Sequence, residues 1–166
     1  MSLASAIPAM TEAMGSIVSV MNGGDESINV GEQWAVVAEA FFENGINPAW
    51  TPAGLAAGKL AFSSAFGSTL ETSSDGSALA SALSKGFHAF AGLATSPENA
   101  APGLPAQLVP ITPPPAPPVI ATITSPASDS HESIITEIHP KLASWALAGL
   151  VSVTTPSGPV PTTPWS

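Results

Sequence analysis

The sequence predicts a mainly α fold, a helical bundle of about five helices with a minor two-strand β element and a Pro-rich extended strap. Three observations predict it. Apolar residues recur at spacings of three and four along five stretches, with Gly, Asn and Pro punctuating them. Between the fourth stretch and the fifth, the chain becomes rich in proline and ends in ITPPPAPP. Two β-branched runs, VIATIT and LVSVTT, flank the fifth.

The first helix is written by Leu3, Ile7, Met10, Met14, Ile17 and Met21, which follow at four, three, four, three and four residues and so share a face. Pro8, which lacks an N–H, marks a start or a kink. Asn22, Gly23 and Gly24 stop the helix, because glycine relieves the left-handed position past a C-terminus. A second helix begins after Asn29, with Glu32 at capping-box spacing. Trp34, Val37, Ala38, Phe41 and Phe42 make its buried face, and Asn44-Gly45 ends it. Thr51 caps the third helix and Pro52 suits its first turn. Leu55, Phe62 and Phe66 are its large apolar residues, while Gly54, Ala57, Gly58, Ala61 and Ala65 let another helix approach closely. The fourth starts near Ser74-Asp75, carries the stripe Leu79, Leu83, Phe87 and Phe90, and ends near Gly92.

From Ser96 to Pro118 the prolines Pro97, Pro102, Pro105 and Pro110 lead into the final run, a polyproline-type segment without internal hydrogen bonds. It is either a spacer or a strap along another surface. VIATIT (Val119 to Thr124) reads as a strand. The fifth helix is capped by Ser128 or Asp129, with Glu132 in the capping-box position. Ile135, Ile138, Leu142 and Trp145 keep phase across Pro140, which predicts one kinked helix. LVSVTT (Leu150 to Thr155) repeats the strand pattern, and the two runs pair with each other or add to sheets on neighbours. The chain therefore divides into a bundle (1–95), a strap (96–118), a strand-helix-strand element (119–155) and an extended tail (156–166) ending near Trp165.

Charged residues are only 9% of the 166, with three Lys+Arg against twelve Asp+Glu and a net charge of -9. The three cations are Lys59, Lys85 and Lys141, and a chain so poor in them cannot neutralise phosphates. Nucleic acid and anionic membranes are thus not expected partners. A surface of Ser, Thr and Asn is desolvated at less cost than one of Lys and Glu, which suits burial against other subunits. An organism that favours Ala, Ser and Thr would give the same composition. Without cysteine there is no disulfide or thiolate site. The first residues carry Glu12 and no basic region, so no secretory signal is read, and no apolar run is long enough to span a bilayer.

No enzymatic motif assembles, and no catalytic residue, metal ligand or cofactor is expected. GLAAGK (Gly54 to Lys59) has three residues between its glycines where a phosphate loop has four, and Leu60 follows the lysine. His131, Glu132, Glu137 and His139 lack metal-ligand spacing, since the histidines stand eight apart. His88 lies between Phe87 and Phe90 and reads as a packed or surface histidine. No Gly-x-Ser-x-Gly elbow occurs, and Asp25-Glu26 sit in a Gly-flanked turn.

The order of an Ala/Ser-rich helical body, a Pro-rich strap, a last helix through Ser144-Trp145-Ala146-Leu147 and a closing VSVTTPSGP resembles small structural proteins encoded among the tail and virion genes of tailed bacteriophages. That resemblance implies a non-enzymatic virion subunit of the tail, baseplate or neck, in several symmetric copies among other virion proteins. A capsid decoration protein and a secreted or surface adhesion module with a Ser/Thr/Pro stalk are the alternatives. The candidate partner-binding residues are Pro113, Pro114, Pro115 and Trp165, the last as an anchor into a neighbour. On that reading, removing the chain after Thr155 leaves the helical body folded.

Overall fold

The computed structural model describes residues 6–22, 30–45, 52–70, 76–93, 98–99, 107–108, 111–120, 123, 131–151, 154–155, 158–159 and 163–165. Among them the protein is mainly helical, with α1 (Ala6–Asn22), α2 (Val30–Gly45), α3 (Pro52–Leu70), α4 (Gly76–Gly92) and α5 (His131–Ala146). The expected caps Asn29, Thr51, Ser128 and Asp129, the turn at Asp25-Glu26 and the stops Gly23 and Gly24 lie outside the described residues.

Each helix buries the face that its spacing marks. Met10 and Met14 of α1, all five marked residues of α2, and Leu83, Phe87 and Phe90 of α4 are buried, as are Ile135, Ile138, Leu142 and Trp145 of α5. Pro8 falls in the first turn of α1, where an absent N–H breaks no helical bond. Pro140 lies inside α5, which continues across it as one helix. Polar side chains on the helices return hydrogen bonds to their own backbone: Ser84 Oγ donates to the Ala80 carbonyl at 2.8 Å and Thr11 Oγ1 to that of Ile7 at 2.9 Å.

α3 is the exception to amphipathicity, its apolar and small residues being spread around the whole helix. It packs against α2 on one side and α4 on the other, so no single stripe suffices. Two glycines allow the close approach to α4. A Cβ on Gly58 would stand 2.5 Å from the Phe90 ring, and one on Gly86 2.7 Å from the Phe62 ring, so each helix seats an aromatic over the other's glycine. All six phenylalanines of the chain are fully buried here. Phe42 stacks on Phe90 at 4.4 Å between centroids, and Phe87 meets Phe41 and Phe62 edge-on at 5.7 and 5.5 Å.

α5 packs on α1, and its apolar face belongs to the same core cluster as α1 to α4. Ile120 and Ile123, just past the prolines, join that core, and so does Trp165. The core thus runs across residues 95/96, 118/119 and 155/156, where the sequence suggests boundaries.

Among the described residues there are also seven two-residue strands: β1 (Glu98–Asn99), β2 (Gln107–Leu108), β3 (Ile111–Thr112), β4 (Leu150–Val151), β5 (Thr154–Thr155), β6 (Gly158–Pro159) and β7 (Thr163–Pro164). β1 pairs with β2, β5 with β6, and β4 lies between β3 and β7, all antiparallel. The sequence leaves LVSVTT to pair with VIATIT or with sheets on neighbours, but Leu150 and Val151 face Thr112 and Ile111, ahead of the prolines. The ladder stops there because Pro113, Pro114 and Pro115 have no N–H to offer it. Val119, Ile120 and Ile123 are outside any strand, and the two isoleucines enter the core instead.

Candidate functional site

Residues 113–120 lie outside any helix or strand, bend at Pro115-Ala116, and are held at defined points. Pro114, Pro118 and Ile120 are buried, whereas Pro115, Ala116, Pro117 and Val119 are exposed. The Trp145 Nε1–H donates to the Ala116 carbonyl at 2.6 Å, which fixes the strap across the C-terminal half of α5. The Ile120 N–H donates to the Pro118 carbonyl at 3.2 Å, closing a three-residue turn with Val119 at its centre. Val119 is consequently held outward between two buried neighbours, at 82% exposure.

Between this turn and α5 lies an open cleft of about 460 Å³. Pro117 and Val119 form its strap wall; Pro140, Lys141, Ser144 and Trp145 form its helix wall. Its walls are mostly carbon, with Lys141 the one charged residue lining it among the described residues. A second shallow cleft, about 370 Å³, lies between α1 and α2 over Ala9, Ala13 and Ala40, bordered by Glu12, Glu39 and Glu43. Lys59 reaches Glu39 at 2.9 Å across from α3.

Of the candidate partner-binding residues, only Pro115 is on the surface; Pro113 is half-buried and Pro114 buried. Trp165 differs most from its expected place. It is fully buried in its own chain, edge-on to Phe42 at 6.4 Å and seated on Gly149, where a Cβ would stand 2.4 Å from the ring. Its N–H donates to the Gly149 carbonyl at 3.0 Å and its indole N–H points to that of Leu150 at 3.4 Å. In this conformation it closes the core and does not project as an anchor. Truncation after Thr155 would remove this fully buried indole, so a loss of stability is expected from a deletion that the sequence alone treats as harmless to the helical body.

Gly54 to Lys59 lies within α3, with Gly58 beneath the Phe90 ring and Lys59 ion-paired. His139 is buried 6.1 Å from the Phe41 ring, whereas Glu132 is exposed at the start of the same helix. His88 is half-buried, and its Nδ1 has no hydrogen-bond partner among the described residues. Among those residues no group of three or more His, Cys, Asp or Glu is placed to hold a metal ion, and no helix is long and apolar enough to cross a membrane.

Sequence reasoning missed Val119, Pro140 and Lys141 as parts of one surface. Val119 reads as the first residue of a strand and Pro140 as a kink. The only signal for the site was a strap of prolines followed, after a gap, by a helix with Trp145 on its buried stripe. Comparison with protein families, with curated proteins and with solved structures returns no match to the chain.

Proposed function

We propose that the chain is a non-enzymatic structural subunit of a bacteriophage virion, in the tail, baseplate or neck, present in several symmetric copies and packed against other virion proteins. The observation that carries the reading is the pinned strap. Its exposed residues Pro115, Ala116, Pro117 and Val119 are uncharged, and Pro117 and Val119 wall an apolar cleft, a surface suited to being covered. The low charge of the chain supports it, since few ions need be desolvated when neighbours close over such a surface. In this reading the strap and the small strand element are the parts that meet neighbours, and the helices are the frame that holds them.

The test is compositional. Purified particles analysed by quantitative mass spectrometry contain the chain at a fixed ratio to the major structural proteins, and immunogold labelling places it on the tail rather than the head. Labelling over the whole head would move the assignment to capsid decoration. Recovery in the producing cell's surface fraction, with none in particles, would replace it with the adhesion module.

A further inference from the structure

We propose that the cleft between the strap and α5 docks an extended, apolar segment of a partner protein bearing a carboxylate, which Lys141 meets. This deepens the assembly reading and rests on it. Three features select this occupant over a helix or a basic segment.

The first is the backbone of the strap. Pro115, Pro117 and Pro118 carry no N–H, so on this edge backbone donors come only from Ala116 and Val119 and carbonyl acceptors outnumber them. An extended backbone supplies the matching N–H donors, whereas a helix has spent its own internally. The second is charge. Lys59 is engaged by Glu39, but among the described residues Lys141 has no ion pair and no carboxylate lines the cleft. In a chain of net charge -9, a half-exposed ammonium in an apolar cleft complements an acidic group brought from outside. The third is continuity. Pro117 borders the strap's seat on α5, and Trp145 both holds Ala116 and walls the cleft. The cleft therefore continues a contact at which the chain already seats one non-helical, proline-rich segment of its own. Val119 and Pro140 provide the walls for an apolar side chain, and Ser144 also lines the cleft.

The test uses the full chain, labelled with nitrogen-15, and an acetylated, amidated hexapeptide alternating leucine and glutamate. The indole N–H resonance of Trp145, assigned with Trp145→Phe, is followed through the titration. A saturable shift at that resonance is expected. Lys141→Glu weakens binding by about fivefold or more, and glutamine in place of the peptide's glutamate weakens it similarly on the unaltered chain. Val119→Ser weakens it as well. Circular dichroism confirms that each variant is folded, with Lys141→Gln and Val119→Thr as milder replacements for one that is not. No saturable shift, or equal binding by the Lys141 variants, overturns the proposal. Particle content is read separately. A chain found in particles but blind to the peptide refutes the cleft alone; one that binds the peptide but is missing from particles refutes the assembly reading alone.

Discussion

The α3–α4 pair and the Trp165 corner use the same device, an aromatic ring laid on a glycine, and reach it by opposite routes. In α3–α4 the exchange is reciprocal: Phe90 on Gly58, Phe62 on Gly86, with two continuous helices a short connection apart. At the corner a single ring covers Gly149, brought there by the two-residue strand β7 (Thr163–Pro164) that precedes Trp165. The first arrangement is dictated locally, because helical spacing puts ring and glycine in place before the partners meet. The second depends on a chain segment whose own conformation guarantees nothing. Equal burial thus rests on unequal supports.

The largest effect that would break this comparison is at Trp165. Trp165→Ala should cost about 3–5 kcal/mol, and deletion after Thr155 at least as much, read as a fall in Tm of about 10 °C or more. A melt unchanged by either would mean that the corner is not part of the core. Next, Gly86→Ala and Gly149→Ala both force a Cβ into a ring, each costing about 1–3 kcal/mol in denaturant titration. If the corner is the more compliant, Gly149→Ala falls at the lower end and Gly86→Ala at the upper. Kinetics sharpen the contrast. Phe62→Leu should slow folding, whereas Trp165→Phe should leave folding unchanged and speed unfolding, as expected for contacts formed after the transition state. Trp145→Phe removes the bond to Ala116 and costs about 1 kcal/mol, with its indole resonance lost and the strap less protected from proteolysis. Smallest is Lys59→Ala: the pair with Glu39 is partly exposed, so about 0–1 kcal/mol is expected, vanishing at high salt.

The same contrast explains what was legible beforehand. Phe41, Phe42, Leu83, Phe87 and Leu142 announce their burial because a helix repeats its facing every three to four residues. Even α3, with no stripe, betrays its neighbours through Gly58 and the alanines. Trp165 carries no such mark, since a lone aromatic among prolines and threonines has no period, and an anchor in trans and a plug in cis read identically. Nor does β-branching choose a partner. Ile111-Thr112 and Val119-Ile120 suit a strand equally, and the pairing with Leu150-Val151 follows from where the prolines interrupt the ladder. The candidate surface was legible only as a region. Which prolines turn inward (Pro114 and Pro118) and which stay out (Pro115 and Pro117) is set by the contact with α5, which proline content does not encode.

The position of Trp165 in the chain also has a consequence in time. The stack of Phe42 on Phe90 becomes available as soon as α4 is made. The indole that covers the edge of Phe42 emerges roughly 75 residues after Phe90, about 4–15 s later at ordinary rates of synthesis. Throughout that interval a nascent chain holds an aromatic cluster with one side uncovered, the kind of surface that chaperones bind and that neighbouring nascent chains aggregate through. Completion of folding is therefore timed by translation of the tail, and a ribosome paused between α5 and Trp165 leaves a nearly finished bundle with its core open.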